Sequence, residues 1–331
     1  MVSRIKKHLI ERLAGGEFVS GQLIGEEFGV SRAAIAKHIR SISDMGLDIF
    51  RVTGKGYRLA EPLVLLDEID IRAFRDENTT DTEIEVLDDV DSTNSYLLRK
   101  ASQGLEKGHL CLAEWQTAGR GRRGRTWVSP FASHLYASIY WRIDAGMAGA
   151  MGLSLVAGLA VTDTLEALGV SNAKLKWPND VYLNGRKLAG VLVELEGQAD
   201  GPCHAVIGVG LNVTMREKDA AEIDQPWADL TDYLSAPINR NLIAHLLHQC
   251  MIRRLKAYER GGLESMLTDW QSKDVFLGYQ VVLSAGERSV SGACRGIDKH
   301  GGLLLEHTGG KVQAYYGGEL SLRVSEEYSP A

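Results

Sequence analysis

The pair Asn184 and Gly185, which separates two apolar runs, constrains the fold of this 331-residue chain more than any other short feature. Asn-Gly is the pair most typical of a two-residue β-hairpin turn, because both residues tolerate positive φ. Residues 174–194 are therefore predicted to form a strand, a tight turn and a returning strand. The middle of the chain must then contain an antiparallel sheet.

Polar side chains mark both ends of this hairpin. Pro178 favours an extended backbone before it, which leaves Asn179 and Asp180 at the start of the first strand. Lys187 falls just inside the returning strand, next to leucine, alanine and valine residues. A lysine in that position either extends its amine to solvent at the sheet edge or pairs with a buried anion, and the residues alone leave both interpretations open.

A cationic segment at Gly119–Arg125 precedes the hairpin and reads Gly-Arg-Gly-Arg-Arg-Gly-Arg. Its arginines repel one another and its glycines are costly to order, so we expect a mobile loop until an anion binds. Guanidinium groups bind phosphate or carboxylate oxygens in pairs, and glycines let backbone N–H groups approach such a ligand. The segment is either a phosphate-binding loop or a solvated basic loop of the kind that contacts nucleic acid.

The segments around this loop predict a mixed sheet with helices. Strands are expected at residues 84–87, 109–114, 135–141 and 205–212, and helices at residues 67–74, 95–101, 151–168 and 240–260. The cluster Ser92, Thr93 and Asn94 precedes one helix, where it offers hydroxyl, amide and backbone N–H groups to a ligand. Simple N-capping of that helix explains the same residues.

The first part of the chain has the pattern of a winged helix-turn-helix. Helices are predicted at residues 4–14, 20–28 and 31–45, with a sharp turn at Gly29, and a hairpin with a basic tip follows at residues 49–59. In this fold the second helix of the motif enters the DNA major groove, although a winged helix used for protein contacts is the alternative. The candidate DNA-binding residues are Ser31, Arg32, Ala33, Lys37, His38 and Arg40 on the third helix, and Lys55 and Arg58 in the wing.

Beyond residue 275 the sequence contains short strands separated by glycine turns. They are predicted at residues 280–283, 290–295, 302–306, 312–316 and 320–324, which favours a small β-barrel. Residues 317–323 either face the active site or pack within the barrel. The expected fold class is multidomain α+β, with a winged helix-turn-helix at residues 1–62, a mixed-sheet α/β domain at residues 63–272 and the barrel at residues 273–331.

Charge is unevenly distributed along the chain. The net charge is −6, but residues 1–60 carry +4 and residues 61–331 carry −10. A polyanionic partner is therefore expected only for the first domain.

Cysteine spacing and hydropathy exclude other classes of protein. Cys111, Cys203, Cys250 and Cys294 lie far apart, and neither they nor the histidines show metal-binding spacing. We therefore expect reduced cysteines in the core and no protein metal site. The apolar run 151–161 is too short for a bilayer and the first residues lack a secretory pattern, so a cytoplasmic protein without a membrane segment is expected.

Four motifs, taken in order, carry a family resemblance: Gly119–Arg125, Lys176-Trp-Pro-Asn-Asp180, Arg186-Lys-Leu-Ala-Gly190 and Gly208-Val-Gly-Leu-Asn212. Together they resemble the bacterial biotin protein ligases over essentially the whole chain. The winged helix-turn-helix in front resembles the bifunctional members of that family, which also repress the biotin operon. The resemblance implies a central domain of the biotin/lipoate ligase type and a C-terminal barrel of the SH3-like type.

The resemblance also implies a reaction in two steps. Biotin and ATP, with Mg²⁺, give biotinyl-5′-adenylate and pyrophosphate, and the ε-amine of a lysine on the biotin carboxyl carrier protein of acetyl-CoA carboxylase then attacks the acyl carbon. In this family the adenylate is the corepressor as well, because it favours a homodimer that binds operator DNA. A cluster of arginine and lysine suits the first step, since the reacting carboxylate and phosphate repel each other.

Each candidate residue receives a role from the same resemblance. The ureido ring of biotin is assigned to Ser92, Thr93, Asn94 and Gln116. The biotin carboxylate and the phosphate are assigned to Arg120, Gly121 and Arg122, with Lys187 at the carboxyl and phosphoryl oxygens. The nucleotide side is assigned to Trp127, Asn179, Asn212 and Arg216. Asp180 is a candidate base or orienting group for the incoming lysine, so the candidate catalytic residues are Lys187, Arg122 and Asp180.

Two other functions are alternatives. A lipoate ligase shares the fold and the adenylation chemistry, but it would lack the winged helix and this arginine loop. A ligand-sensing repressor with an inactive ligase domain is disfavoured, because Lys187, Asn212 and the full arginine loop are present.

Overall fold

The computed structural model describes residues 4–144, 146–197, 201–221, 223–235, 237–285, 288–317 and 321–324. Within these residues the chain forms, in order, a helical unit with a two-stranded hairpin, a seven-stranded sheet with helices on its faces, and a five-stranded antiparallel sheet. This order agrees with the predicted multidomain α+β class. No helix in the described segments has the length and apolar character needed to cross a membrane.

The N-terminal unit contains the predicted winged helix-turn-helix elements, namely α1 Arg4–Ala14, α2 Gly21–Phe28, α3 Arg32–Ser43, β1 Ile49–Val52 and β2 Gly56–Leu59. Ser20 and Ser31 cap α2 and α3, since their hydroxyl oxygens accept hydrogen bonds from backbone N–H groups in the first turn of each helix. Gly29 ends α2 in the left-handed region, with φ 64°. α3 ends at Ser43 rather than at about Met45, because the chain turns there towards Gly46.

The central sheet is built from β3 Ile84–Leu87, β4 Leu110–Ala113, β5 Leu135–Ile143, β6 Ala173–Lys176, β7 Asp180–Leu183, β8 Arg186–Gly197 and β9 Cys203–Leu211. Their order across the sheet is β3-β4-β5-β9-β8-β7-β6. β3 and β4 run parallel, whereas all other neighbours run antiparallel. The sheet is therefore mixed, as predicted.

The hairpin between β7 and β8 turns at Asn184 and Gly185, whose φ values are 49° and 74°. Positive φ at both positions is the geometry of a type I′ turn, so this prediction is confirmed. The prediction of one extended strand before the turn is wrong. The chain reverses after Lys176, where the N–H of Asn179 donates to the Lys176 carbonyl at 3.2 Å, and β6 pairs antiparallel with β7. Pro178 has no N–H to continue a strand ladder, which is consistent with a break at this point.

Helices cover both faces of this sheet. The helices that follow the N-terminal unit are α4 Glu68–Arg72, α5 Thr93–Ala101, α6 Leu153–Ala167, α7 Glu217–Ala220, α8 Arg240–Gly261 and α9 Leu267–Lys273. α6 and α8 pack together over one face, and α6 is apolar all round because it is buried between α8 and the sheet. α5 packs on the opposite face through Leu97 and Ala101. The four cysteines are free and buried, as predicted.

The C-terminal sheet consists of β10 Gln280–Ala285, β11 Arg288–Ile297, β12 Leu303–Glu306, β13 Val312–Tyr315 and β14 Ser321–Val324, in the order β13-β12-β11-β10-β14. Two hydrogen bonds join this region to the central sheet. The N–H of Val275 donates to the carbonyl of Leu175 at 2.9 Å, and the indole of Trp177 donates to the carbonyl of Gly301 at 3.0 Å. The C-terminal sheet is therefore held beside the turn between β6 and β7.

Asp274 lies buried at this junction, where its carboxylate accepts hydrogen bonds from the N–H of Phe276 and the thiol of Cys294. Burial raises the pKa of Asp274 from 3.8 to about 6. The folded protein therefore binds this proton more tightly than the unfolded chain does. The stability that results is fully present below pH 3.8 and is lost as the pH rises through about 6.

We expect Asp274→Asn, which is neutral at every pH, to be more stable than the parent protein at pH 7.5 and to lose that advantage at about pH 5. Each unit of pKa shift corresponds to about 1.4 kcal/mol. Urea denaturation at the two pH values measures the effect, and the exposed Asp232→Asn serves as a control that should show no such dependence. An equal effect of Asp274→Asn at both pH values would contradict the assignment.

Candidate active site

A cavity of about 460 Å³ opens on the α5 face of the central sheet. It brings together residues from the start of α5, the arginine loop, the turn before β7 and the start of β8. The predicted ligand-binding residues that line it are Ser92, Thr93, Asn94, Gln116, Arg120, Gly121, Arg122, Trp127, Asn179, Asp180 and Lys187. These segments lie far apart in the sequence, and the mixed sheet places them around one volume.

One end of the cavity presents neutral polar groups. Ser92, Thr93 and Asn94 are almost fully buried at the start of α5, and Ser92 makes no side-chain capping bond to the helix. Capping therefore does not explain Ser92. Gln116 accepts a hydrogen bond from the N–H of Thr93 at 2.9 Å and donates to the hydroxyl of Ser129 at 3.1 Å. This end is suited to a neutral ligand group that carries both donors and acceptors.

Ser138 on β5 holds two of these side chains, although the sequence analysis did not single it out. Its hydroxyl lies 2.7 Å from Thr93 Oγ1 and 2.6 Å from Asn94 Oδ1. The amide of Asn94 in turn donates to Glu194 at 2.8 Å. One serine within an apolar strand gives no signal in the sequence, because its role depends on α5 packing against that strand.

Two glycines of β9 form the floor of the cavity. A Cβ atom at Gly208 would lie 2.3 Å from Asn94 Oδ1, and one at Gly210 would lie 2.4 Å from the ring of Trp127. Both distances are far below van der Waals contact. Glycine at these two positions therefore permits close approach, because Asn94 and Trp127 occupy the space that a side chain would need.

The arginine loop folds back on itself. The N–H of Gly121 donates to the carbonyl of Arg125 at 2.7 Å, and the N–H of Trp127 donates to the carbonyl of Gly119 at 2.9 Å. Arg123, within the turn, has φ 60°. These bonds close a short hairpin at the rim of the cavity.

Two arginines of the loop reach across the cavity to the central sheet. Arg120 pairs with Glu194 at 3.0 Å, and Arg122 donates to the side-chain oxygen of Asn179 at 2.8 Å. Burial lowers the pKa of Arg122, and the neighbouring arginines act in the same direction. A guanidinium in such surroundings gains most from a bound anion.

Lys187 projects into the cavity, which decides between the two interpretations of this lysine. Its ammonium lies 2.9 Å from Asp180 Oδ1 and 5.5 Å from the centre of the Trp127 ring. The side chains of Lys187 and Asp180 are only 14% and 17% exposed. Lys187 is therefore a partly buried cation with an anionic partner rather than a lysine that extends to solvent.

A second cavity of about 240 Å³ adjoins the first and shares Trp127 and Lys187 with it. Asn212 and Met215 line this second cavity. The amide of Asn212 donates to the carbonyl of Ala228 at 3.0 Å, which ties the end of β9 to a neighbouring segment. Among the described residues, the indole N–H of Trp127 is buried without a hydrogen-bond partner. Such a donor is costly unless a ligand accepts from it.

Further residues line the cavity besides the ligand-binding residues that were predicted one by one. Lys176 lines the cavity and donates to the hydroxyl of Tyr182 at 3.0 Å, and burial lowers its pKa. Leu322 and Arg323 reach the same cavity from β14. The segment 317–323 therefore has residues at the cavity, while Gly318, Glu319 and Leu320 lie outside the described residues. No local pattern marks these positions, since they meet only when two sheets pack together.

Arg216 does not line either of these two cavities, in contrast to its assignment beside Asn212. Its guanidinium donates to the carbonyls of Gly46 at 2.6 Å and Phe131 at 3.2 Å, and to Asp219 at 2.7 Å. Gly46 follows α3, so Arg216 faces the winged helix. Met215 beside it lines the second cavity, so it is the side chain of Arg216 that points away from that cavity, and the sequence alone could not show this direction.

The predicted DNA-binding residues lie mainly on the surface. Those on or next to α3 are exposed except for the half-buried His38, and Lys55 is exposed at the tip of the wing. Ser31 also caps α3. The guanidinium of Arg58 lies 5.1 Å and 5.7 Å from the ring centres of Phe18 and Phe50. Stacking thus fixes Arg58 beside the wing.

The fold and the site define a class of protein: a winged helix-turn-helix joined to a ligase-type domain whose cavity combines a neutral polar pocket with a cationic cluster. Family models match in the same order. Residues 5–58 match the HTH domain, residues 86–212 match the biotin/lipoate A/B protein ligase family, and residues 276–323 match the biotin protein ligase C terminal domain.

The chain belongs to the biotin protein ligase family, and within it to the bifunctional ligase/repressors. It is 44% identical over 319 residues to the bifunctional ligase/repressor BirA of Escherichia coli strain K12, covering 96% of this chain and 97% of that protein. It is 31% identical to BirA of Bacillus subtilis strain 168, covering 97% of this chain and 100% of that protein. A solved biotin protein ligase from Aquifex aeolicus, in complex with biotin and ATP, is 30% identical with a TM-score of 0.62, covering 73% of this chain and 99% of that one.

Proposed function

We propose that this protein is an ATP-dependent biotin protein ligase that also represses the biotin operon. It joins biotin to AMP, transfers biotin to a lysine of the biotin carboxyl carrier protein of acetyl-CoA carboxylase, and binds operator DNA when the adenylate is bound. The observation that carries this proposal is the cavity, in which buried neutral groups at the start of α5 lie beside Lys187 and Arg122.

In the first step a carboxylate oxygen of biotin attacks the α-phosphorus of ATP, and the bond to pyrophosphate breaks. Both reactants are anions, so the site has to reduce their repulsion. Lys187, Arg120 and Arg122 supply positive charge, while Thr93, Asn94 and Gln116 hold the neutral ureido ring. Trp127 covers the adenine side, and Asn179 and Asn212 hold the nucleotide. The arginine loop closes over the adenylate and limits its hydrolysis.

In the second step the lysine amine of the carrier attacks the acyl carbon, and AMP leaves. The amine must be neutral when it attacks, so a proton acceptor or an orienting carboxylate is required. Asp180 is the candidate, because it lies at the cavity and 2.9 Å from Lys187. Phosphate oxygens that draw Lys187 away would leave Asp180 free to orient or deprotonate the amine.

Mg²⁺ is proposed to accompany ATP. Among the described residues there is no group of three or more His, Cys, Asp or Glu side chains that could hold a metal ion. A metal cage made by the protein alone therefore does not fit, whereas Mg²⁺ usually keeps several waters and binds substrate phosphates.

One experiment separates the proposed function from its alternatives. The protein is incubated with ATP, labelled biotin or labelled lipoate, and an apo carrier domain, and covalent label on the carrier is scored. Transfer of biotin alone is expected. Transfer of lipoate would indicate a lipoate ligase, and adenylate-dependent operator binding without any transfer would indicate a catalytically inactive repressor.

The free edge of β8 supports a homodimer in the adenylate-bound state. β7 pairs only with the start of β8, and among the described residues no strand pairs with β8 beyond Val191 on that side. Leu195 is exposed on this free part of the strand. An unpaired edge of this kind can pair antiparallel with the same edge of a second copy.

We expect biotin plus ATP to raise the sedimentation mass from monomer to dimer and to raise operator affinity with it. Leu195→Lys should weaken the dimer, because it places a charge at the proposed edge. Val312→Lys is the matched control, since Val312 is exposed on β13 of a different sheet. A sedimentation mass that does not change with ligand would contradict the proposal.

We also propose the domain limits, the type of the C-terminal domain, the location of the protein and its DNA contacts. The domain limits are residues 1–62, 63–272 and 273–331, the C-terminal sheet is a barrel of the SH3-like type, and the protein is cytoplasmic. The exposed basic residues of α3, such as Arg32 and Lys37, contact base edges, and Lys55 and Arg58 contact phosphates of the operator.

A further inference from the structure

Two short segments run from the ligand cavities to the winged helix. The first leads from Trp127 at the cavity to Phe131, whose ring is buried in the hydrophobic core of the winged helix. The second leads from Asn212 at the adjoining cavity to Arg216. Each spans four positions along the chain. The segments are linked to each other, because the N–H of Thr214 donates to the carbonyl of Ser133 at 2.9 Å.

Arg216 fastens the ends of both segments to the chain that follows α3. One guanidinium nitrogen donates to the carbonyl of Gly46 at 2.6 Å and another to the carbonyl of Phe131 at 3.2 Å. The Nε atom donates to Asp219 at 2.7 Å, which fixes the plane of the group. The side chain is 20% exposed. A planar group with fixed donors can hold two carbonyls from different domains in one geometry.

Gly46 is fitted to this contact. Its φ of 94° lies in the region that favours glycine, and a Cβ atom there would lie 3.3 Å from the guanidinium of Arg216. The carbonyl that accepts from Arg216 is thus presented by a turn directly after the helix proposed to enter the major groove. Arg216 is therefore bonded to the N-terminal unit three residues after the end of α3.

Next to Arg216, Met215 faces the second cavity. Met215 lines the second cavity, and its N–H donates to the buried carboxylate of Asp229 at 2.7 Å. Neighbouring residues thus face opposite ways, Met215 towards the nucleotide side and Arg216 towards the winged helix. A ligand that orders Met215 also orders the backbone that carries Arg216.

We propose that Arg216 is a positioning residue that couples the ligand cavities to the orientation of the winged helix, rather than a nucleotide-binding residue. It sets the position of α3 relative to the central domain, and adenylate at the second cavity stabilises that position. The measurement of operator affinity rests on the proposed function. The measurement of domain orientation does not depend on that function.

Lys218 provides a matched control, since it lies in the short helix α7 that begins directly after Arg216. It also reaches the N-terminal unit, where its amine lies 2.9 Å from a carboxylate oxygen of Asp48, but the side chains are 45% and 69% exposed. Solvent-exposed ion pairs of this kind contribute little to the free energy that holds two units together. Comparing variants of Arg216 and Lys218 separates the effect of the partly buried Arg216 hydrogen bonds from a general electrostatic attraction between the two units.

The test compares the parent protein with Arg216→Lys and Lys218→Ala. Arg216→Lys keeps the charge but cannot form the fork, so operator affinity at saturating biotin and ATP is expected to fall by about 10- to 100-fold. The KM for ATP should change much less. Lys218→Ala should remain within about twofold of the parent in both measurements.

Domain orientation is measured on the same variants by the distance between spin labels on α3 and α8. Arg216→Lys is expected to broaden the distance distribution, and adenylate should narrow it less than in the parent. A raised KM for ATP with unchanged operator affinity and unchanged distances would overturn the inference and return Arg216 to the nucleotide site. If the parent itself neither transfers biotin nor binds operator, the proposed function fails, while the distance distributions still test the coupling.

Discussion

Lys187→Met should lower the rate of biotinyl-adenylate formation by about 100- to 1,000-fold. Methionine is close to lysine in length and keeps the apolar part of the side chain, so the change removes mainly the positive charge. In the folded protein that charge lies 2.9 Å from Asp180 and 5.5 Å from the centre of the Trp127 ring, between the two cavities. Lys187 can therefore meet a carboxylate and a phosphate at their point of reaction.

The two half-reactions should respond differently to this change. Pyrophosphate release reports the first step, in which two anions approach each other and the charge of Lys187 is most needed. Transfer from preformed adenylate to the carrier lysine reports the second step, which should be affected less because the attacking amine is neutral. Lys174→Met, on the exposed side of β6, is the control and should retain parental rates. A parental rate of pyrophosphate release in Lys187→Met would remove Lys187 from the proposed mechanism.

Much of the fold follows from local patterns in the sequence. Ser20, Gly29 and Ser31 delimit the helices of the N-terminal unit, and Asn184 with Gly185 sets the β7–β8 turn. In each case one or two residues decide the local backbone. The prediction failed where pairing between strands sets the path of the chain. β6 pairs with β7 after a chain reversal, whereas the sequence predicted extended chain there.

The candidate site divides in the same way. Residues such as Gln116, Arg122 and Lys187 were assigned because they lie in or near the short motifs that carry the family resemblance, and the structure brings them to one cavity. Ser138 was not found, because its role depends on α5, an element distant in sequence, and for Arg323 the sequence left open whether it faces the active site or packs within the barrel. Arg216 was assigned to the nucleotide side, and its hydrogen bond to Gly46 could not be foreseen, because Gly46 belongs to another domain.

The largest effect on stability is expected from the buried ion pair between Arg240 and Glu114. The two groups lie 2.6 Å apart with side chains only 3% and 5% exposed. Arg240 also donates to the carbonyl of Val64, and Glu114 accepts from the N–H of Leu66. The pair therefore holds the segment that joins the winged helix to the central domain, and it does so away from water.

Arg240→Met should lower the free energy of unfolding by about 3–5 kcal/mol, because it leaves the carboxylate of Glu114 buried without its counter-charge. Glu114→Gln retains an oxygen for the N–H of Leu66, so it should lower the free energy of unfolding less than Arg240→Met does. The double variant should cost less than the sum of the two single changes, since no uncompensated charge then remains. Arg253→Met is the control on the same helix: Arg253 is 64% exposed and pairs with Asp163, so its loss should cost about 1 kcal/mol or less.

Urea denaturation followed by circular dichroism measures these differences, with operator binding recorded alongside. If linker attachment is the role of the pair, Arg240→Met should also loosen the winged helix and weaken operator binding under conditions in which the central domain still forms adenylate. If Arg240→Met and Arg253→Met lowered the free energy of unfolding equally, the buried pair would be no more important for stability than the exposed one. Strict additivity of Arg240→Met and Glu114→Gln would show that the two side chains do not act as a pair, despite their distance of 2.6 Å.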